Sequence, residues 1–458
     1  MKRLALTITL LAGGCMTAPT PPATIAPPTA IGPFASLPIA SIAPVPGDWW
    51  KLYNDPVLDG LVQASLATNA DLRVAYANLD GARAALRQAR AARLPSTTVE
   101  SAGTIDGSAS QPSASSNVPT TDYDLALAAS WDADLFGRLR SGALAAAADA
   151  EAQAAALDGL KVAVAADTVL AYVELCGATQ TVRVAGEQVR VQERSVAALR
   201  SQFRAGEVSP LEVSQSASLL ETTRATIAPY EALQTNARYR LATLQGRPPA
   251  DARATPVACA APPTLRTKSP TGDGQAMLLR RPDIREAERR LAAAAARVGV
   301  ARADLYPRVN IGGAVGLLTG NFVTTASPLI SWAFPNQAPA RARIAQARAT
   351  ERAALAGWDV AVLRALREVE TALATYDAEA RRNGTLGAAL RQADLTARRA
   401  AARVRLGDAD FLIQLDAERA RAQAALAQAQ SDLAIAQAQV ALFRALGGGW
   451  QTGSVPLQ

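Results

Sequence analysis

The sequence predicts a mainly helical protein with membrane β-structure: a long α-helical coiled-coil barrel, and a twelve-stranded transmembrane β-barrel shared by a homotrimer, with four strands from each chain. Three observations lead to this fold class. Apolar residues recur every seven positions over two long stretches, and apolar and polar residues alternate over several short ones. In addition, the second half of the chain repeats the order of elements seen in the first.

The two long helices are expected at about residues 138–204 and 339–405. Leu175, Val182 and Val189 stand seven positions apart in the first, and the second carries a similar series. A seven-residue apolar period imposes coiled-coil packing. At about 1.5 Å of rise per residue, each helix is on the order of 100 Å long, which no ordinary globular domain accommodates.

The stretch DYDLALAASWDADLFGRLR, residues 122–140, opens with a period of two and predicts a strand over 122–135 with one apolar and one polar face. The residues expected to face lipid are Tyr123, Leu125, Leu127, Trp131 and Leu135. The residues expected to face water inside a barrel are Asp122, Asp124, Asp132 and Asp134.

Further strands are expected at about 97–107, 308–318 and 326–334. Membrane strands need about ten residues and must close into a barrel, because an open edge leaves backbone groups unpaired in lipid. The smallest common barrels have about eight strands, so several chains must share one barrel, and three chains would supply twelve strands. The alternative is a soluble sheet that packs its apolar face on helices; periodicity alone leaves both open.

An internal repeat organises the chain. Residues 69–99 align with residues 281–311, with Asp71 over Asp283 and Pro95 over Pro307. The predicted divisions, with the additional helices in parentheses, are repeat 1 at 48–250 (helix 209–246), a linker at 251–275, repeat 2 at 276–450 (helices 282–303 and 409–446) and a C-terminal tail at 451–458.

The N-terminus, MKRLALTITLLAGGC, has the pattern of an export signal over residues 1–14, too short to span a bilayer as a permanent helix. It resembles a bacterial lipoprotein signal, in which Cys15 becomes the lipid-carrying first residue, although Ala12 replaces the usual leucine. Met16 follows where inner-membrane lipoproteins tend to have aspartate, which implies an outer-membrane destination. A proline-rich tether is expected at 15–47.

The other two cysteines leave their pairing open. Cys176 lies on the heptad positions of Val162 and Val169, which predicts a small core residue, and Cys259 lies in a proline-rich link. An oxidising compartment permits a bridge between them, but nothing in their spacing requires one.

The composition argues against enzymes and nucleic-acid binders. Only 5 % of the 458 residues are aromatic, and there is no histidine, which removes the usual general base and the commonest zinc ligand. We find no catalytic residues and no metal ligands, and expect no cofactor apart from the lipid on Cys15. The net charge is +7, but basic and acidic residues alternate along the helices, as in residues 285–290, so we expect no nucleic-acid partner.

Five segments of the mature chain resemble a known family. They are WWKLYNDPVLDGLVQASLATNADL (49–72), SWDADLFGRLR (130–140), LLRRPDIREAERRLAAAAARVGVARADLYP (278–307), LRALREVETALATY (363–376) and ALGGGW (445–450). They resemble the TolC-like trimeric outer membrane efflux channels, and among these the OprM/NodT-type lipoproteins. The resemblance implies a homotrimer in outer membrane lipid, with a helical periplasmic tunnel served by a periplasmic adaptor and an inner-membrane efflux pump of the RND type.

The resemblance also implies roles for particular residues. The segment FLIQLDAERA matches the periplasmic gate, where Leu412 and Asp416 would each appear three times around the axis and tune opening. The residues that match the adaptor-docking turns at the periplasmic tip are Arg204, Gly206, Arg405 and Gly407. Without the resemblance, these would be ordinary heptad, solvated and helix-capping residues.

Two other functions stay open on the sequence. A lipid-anchored periplasmic coiled-coil scaffold would explain the signal and the helices but leaves the four amphipathic strands without a role. An exported enzyme would have only scattered carboxylates to work with. The exported compound and the identity of the pump and adaptor are not encoded in any motif that we recognise.

Overall fold

The computed structural model describes residues 45–105, 121–253, 257–265, 274–318 and 321–448. The predicted export signal, Cys15, most of the predicted tether and the C-terminal tail lie outside the described residues. The predictions for those segments therefore stay predictions.

Helices make up most of the described residues. In chain order they are α1 (Pro56–Thr68), α2 (Ala70–Ala91), α3 (Arg138–Arg204), α4 (Pro210–Ala225), α5 (Ala228–Leu244), α6 (Gly274–Arg280), α7 (Pro282–Ala303), α8 (Ala338–Arg405) and α9 (Phe411–Ala445). The bounds of α3 and α7 are those expected from the sequence, and α8 begins one residue earlier than expected.

Four strands form one antiparallel sheet in the order β1-β2-β3-β4. They are β1 (Ser96–Ile105), β2 (Thr121–Asp132), β3 (Arg308–Leu318) and β4 (Asn321–Ser331). The seam between β2 and β3 joins the two repeats, with Leu127 opposite Val315 and Trp131 opposite Ile311. Both β1 and β4 are edge strands, because each has a described neighbour on one side only.

The chain divides into two compact units. The first contains Ala77–Ala155 and Arg285–Ala361, and therefore the whole sheet; the second contains Ala156–Ile284 and Val362–Gln458. The core of the second unit packs through small side chains: Ala165, Ala171 and Ala178 of α3 are completely buried. Small residues allow helices to approach closely along a long interface.

A disulfide bond joins Cys176 to Cys259. Cys176 is completely buried in α3, so the predicted core position is correct. The bond also fixes the link that follows α5, a connection that the spacing of the cysteines had left open.

One predicted helix is divided in the structure, and another break separates α1 from α2. The break between α1 and α2 is at Asn69, whose side chain accepts from the Leu72 amide at 3.1 Å and donates to the Leu244 carbonyl at 2.9 Å. The predicted helix at 209–246 breaks between α4 and α5, where Pro229 stands in the first turn of α5. Proline has no N–H to donate and favours the start of a new helix.

Two predicted strands have different bounds. The strand predicted over 122–135 ends at Asp132, so Asp134 and Leu135 lie in a turn rather than on opposite faces of a strand. The strand predicted over 326–334 is β4, which begins at Asn321 and ends at Ser331. Pairing with β3 extends β4 through the polar residues Thr324 and Thr325, and Trp332 and Phe334 follow the strand as a stacked pair with ring centroids 4.7 Å apart.

The two repeats end their helices in the same way. Glycines with left-handed backbone follow α3, α5, α8 and α9: Gly206, Gly246, Gly407 and Gly447. After α3, the Gly206 amide donates to the Phe203 carbonyl and the next amide donates to Gln202; after α8, Gly407 and the residue that follows it repeat the pattern. This is the Schellman motif, in which glycine takes the left-handed position without a steric penalty.

Candidate functional site

One face of the sheet is apolar and exposed. Residues directly opposite each other in neighbouring strands lie on the same face, so the register places Val99, Leu127 and Val315 in one row, and Leu125 and Leu317 in the next. Leu125 is 53 % exposed and Leu317 is 46 % exposed. Tyr123 belongs to β2 and is opposite Gly103 in the same register. No described helix covers this face. A soluble sheet would instead have helices packed on its apolar face.

The other face of the sheet is more polar. Glu100 and Ser130 lie on it, as do Asn310 and Thr325. An alternation of this kind, apolar on one face and polar on the other, is typical of strands in a membrane barrel with a polar interior.

In each repeat, a tryptophan at or just after the end of the second strand donates a hydrogen bond to a residue that precedes the first strand. The Trp131 indole N–H donates to the Arg93 carbonyl at 3.0 Å, and the Trp332 indole N–H donates to the Leu305 carbonyl, also at 3.0 Å. Arg93 and Leu305 each stand two residues before the aligned prolines of the repeats. Trp131 was predicted from the sequence to lie in the apolar row, but its hydrogen bond to the Arg93 carbonyl was not predicted.

The junction between β2 and α3 is built from two aspartates and a glycine. Asp134, which has left-handed backbone with φ 45°, accepts hydrogen bonds from the Leu139 and Arg140 amides, both at 2.8 Å. It therefore satisfies free amides in the first turn of α3. Asp132 accepts from the Arg138 guanidinium at 2.7 Å, and Gly137 has φ 73°. Gly137 thus takes a left-handed backbone, which allows a sharp turn at this junction.

The predicted gate residues lie on the first turns of α9. Leu412 and Asp416 are one helical turn apart and hence on the same face. Leu412 is 43 % exposed, and the Asp416 carboxylate lies 3.7 Å from the Arg419 guanidinium with its side chain 77 % exposed. Both residues, together with Ser218 of α4, line an open surface cavity in the second unit.

The predicted docking residues occupy two equivalent turns. Arg204 and Arg405 are the last residues of α3 and α8, and each bends its Nε back to the carbonyl of the residue four positions earlier, at 3.3 Å. A Cβ added to Gly206 or Gly407 would meet no atom within 4 Å. Both turns are therefore accessible from the surface of a single chain.

Arg281 has a structural role that was not predicted, although it belongs to one of the segments that carry the family resemblance. Its guanidinium donates to Asp283 at 2.6 Å, to Glu368 at 2.8 Å and to the Ala445 carbonyl at 2.7 Å. Burial lowers the pKa of Arg281. The bonds to the two carboxylates raise the pKa by more than burial lowers it, so the pKa lies above its ordinary value. The sequence feature that could have indicated this role is the LLRRPD motif, in which a proline starts α7 directly after the buried Arg281.

In the described ranges, no group of three or more cysteine, aspartate or glutamate side chains is placed to hold a metal ion. An apolar window of α3 is long enough to span a bilayer, but 72 % of it is buried inside the fold, as in a core helix.

Comparisons with known proteins agree with these features. The profile of the family described as outer membrane efflux protein matches residues 61–247 and 274–448. A pyoverdine export outer membrane protein of Pseudomonas putida is 30 % identical over 98 % of this chain and 97 % of its own length. Outer membrane protein OprJ of Pseudomonas aeruginosa is 30 % identical over 98 % of this chain and 96 % of its own.

Solved structures give the same result. The structure of the outer-membrane channel OprN superposes with a TM-score of 0.87 at 36 % identity, over 94 % of this chain and 99 % of that one. The family is one of transport proteins, and the described part of this chain is mostly helical with one four-stranded sheet. The chain belongs to the outer membrane efflux protein family.

Proposed function

We propose that three copies of this chain form the outer membrane channel of a tripartite efflux pump and conduct small molecules from the periplasm to the exterior. The observation that carries the proposal is the sheet. It has an uncovered apolar face, a polar face and two edge strands, each with a described neighbour on one side only.

Closure of the barrel supports the trimer. A four-stranded sheet leaves one row of N–H and C=O groups unpaired along β1 and another along β4, and such groups cost several kcal/mol each in lipid. Pairing β1 of one copy with β4 of the next removes both edges. Three copies then supply twelve strands, an even number within the range of bacterial barrels.

The exposed apolar row fits a bilayer, and the tryptophans fit its boundary. Leu125 and Leu317 would contact lipid tails, while Trp131 and Trp332 stand at the helical end of the sheet, where amphipathic rings favour the membrane–water interface. The polar face, with Glu100 and Asn310, would line water. The scaffold alternative gives these faces no role.

The helices would carry the gate and the docking surface in the periplasm. Leu412 and Asp416 share an exposed face near the beginning of α9, and three copies would bring three carboxylates towards one axis, where mutual repulsion opposes closure. The turns at Gly206 and Gly407 would receive a periplasmic adaptor. Leu406, which is 83 % exposed beside the second turn, adds an apolar contact there.

The remaining parts of the proposal concern the anchor and the partners. Lipid on Cys15 would fasten the trimer to the outer membrane, and the adaptor would connect it to an inner-membrane pump of the RND type. The names of the relatives describe export of pyoverdine and efflux of antibiotics and toluene by those proteins. The class of compound exported here is left as small molecules.

Planar lipid bilayers test the channel. Purified protein should produce discrete conductance steps, and a strain that lacks the gene should accumulate more of a pump substrate than the complemented strain. Protein purified from the outer membrane that produces no conductance steps, even in the presence of the adaptor, would favour the scaffold.

A further inference from the structure

A basic cavity lies beside the helical end of the sheet, in the first unit. It has a volume of about 630 Å³. Its basic lining is the four arginines Arg87, Arg90, Arg93 and Arg140, and its apolar lining includes Ala91, Leu94, Ala143 and Leu144. Helix α2 and the residues after it supply one wall, and the first turns of α3 supply the other.

The four guanidinium groups have no acidic partner among the described residues, where none of them forms an ion pair or a side-chain hydrogen bond. Four cations around one cavity repel each other, and the repulsion falls when an anion enters. Arginine is suited to phosphate, because its planar fork donates two parallel hydrogen bonds to phosphate oxygens. The lining therefore favours a phosphate group.

The apolar part of the lining indicates what carries the phosphate. Leu94 is 65 % exposed and Leu144 is 45 % exposed. Leu94 precedes the first residue of β1 by two positions, and Arg93 accepts the hydrogen bond of Trp131 at the end of β2. The cavity thus lies where the strands meet the helices, which is the periplasmic membrane boundary if the proposed barrel is correct.

The second repeat lacks this arrangement at the same place. Asp304 occupies the position equivalent to Ala92, accepts from Arg308 at 2.7 Å and lies 3.7 Å from Arg343. Two arginines of the second repeat, Arg308 and Arg343, thereby have an acidic partner within the chain, whereas the four arginines of the cavity have none among the described residues. The difference provides an internal control.

We propose that the basic cavity binds the phosphate headgroup of an anionic phospholipid in the periplasmic leaflet of the outer membrane, with its acyl chains leaving over Leu94 and Leu144. The inference rests on the proposed function, because it needs the sheet to be in the bilayer. Bound lipid would neutralise the arginines and fix the junction between strands and helices.

Native mass spectrometry of the full chain, titrated with short-chain phosphatidylglycerol or phosphatidylcholine, tests the proposal. The wild type should bind phosphatidylglycerol in preference to phosphatidylcholine. Its affinity for phosphatidylglycerol should fall as the salt concentration rises. The variant Arg87→Gln/Arg90→Gln/Arg140→Gln should bind it on the order of a hundredfold more weakly, since each arginine near an anionic surface contributes about fivefold. The matched variant Arg302→Gln/Arg341→Gln, at equivalent positions of the second repeat, should bind as the wild type does.

Three results would overturn the proposal. The triple variant could bind phosphatidylglycerol as tightly as the wild type does. Glycerol phosphate without acyl chains could compete as well as the lipid, which would indicate a site for free anions. The triple variant could instead change the ion selectivity of the channel with lipid binding intact, which would place the arginines in the lumen.

Oligomer mass and membrane fraction, measured on the same preparations, separate the two proposals. An outer membrane trimer without a lipid preference would contradict the lipid site alone. A soluble monomer would contradict the channel as well.

Discussion

Gly316 in β3 lies so close to Leu125 in β2 that a Cβ atom added to the glycine would overlap the Leu125 carbonyl oxygen. The two residues belong to different repeats, and their strands form the seam of the sheet. The seam is therefore closed at a point where only glycine fits without displacing backbone.

Gly316→Ala should weaken the seam. The added methyl group must displace backbone rather than a flexible side chain, and overpacking of this kind costs on the order of 1–3 kcal/mol. We expect a smaller fraction of assembled oligomer in the outer membrane and a lower unfolding temperature. Gly312→Ala is the matched control, because its nearest neighbours across the sheet, at 3.7 and 3.8 Å, leave room for a methyl group. Equal effects of the two substitutions would show that the seam is not packed as described.

The disulfide should form in the exported protein. Protein from the periplasmic side of the cell should contain no free thiol on Cys176 or Cys259, as measured by alkylation and mass spectrometry of the denatured chain. Replacing both with serine should lower the free energy of unfolding by about 2–4 kcal/mol, because the bond constrains the unfolded chain. A reductant should destabilise the wild type and leave the serine variant unchanged. Two alkylated cysteines in unreduced wild type would contradict the bond.

The gate assignment predicts an effect of Asp416→Ala on conduction. Removing three carboxylates from the axis should lessen both the repulsion that opposes closure and the local attraction for cations. Single-channel conductance and cation selectivity in planar bilayers should therefore change. Asp80→Ala is the control, because Asp80 is as exposed as Asp416, at 76 %, but lies on α2. Identical traces for Asp416→Ala and the wild type would rule out Asp416 as a gate residue.

The docking assignment predicts different effects from two substitutions at Gly407. Asparagine tolerates the left-handed backbone, with φ 72° here, better than most residues, so Gly407→Asn should assemble and still crosslink to the adaptor. The Cβ atom of Gly407→Trp also meets no atom of its own chain within 4 Å, but the indole ring would block the approach of a partner. It should assemble while losing crosslinking and export. Full export by an assembled Gly407→Trp channel would argue against docking at this turn.

Patterns that extend over many residues were readable from the sequence. The bounds of α3 and β3 agree with the prediction because heptads and strict alternation are repeated signals, which local exceptions do not hide. The duplication was also visible, since the aligned prolines and the glycines that follow equivalent helices keep the same order in both repeats.

Features that depend on one side chain or on a distant partner were not readable. The alternation continues to Leu135, but the left-handed backbone of Asp134 ends the strand earlier and turns its carboxylate into a helix cap. The polar residues at the start of β4 have the composition of a loop. They form a strand because they pair with β3, and the sequence alone does not show this pairing. The bond from Cys176 to Cys259 required the link to fold back on α3, which spacing alone cannot indicate. The gate and docking roles of Leu412, Asp416, Gly206 and Gly407 depend on other chains, so these assignments stay predictions.

The central claim is that three copies share one barrel in the outer membrane. The most direct measurement is the mass of the membrane-extracted protein in mild detergent, by light scattering corrected for detergent, after inner and outer membranes have been separated. We predict three chains per particle, recovered from the outer membrane fraction. A single chain, released without detergent once the lipid anchor is removed, would mean that the strands never enter the bilayer and would contradict the account.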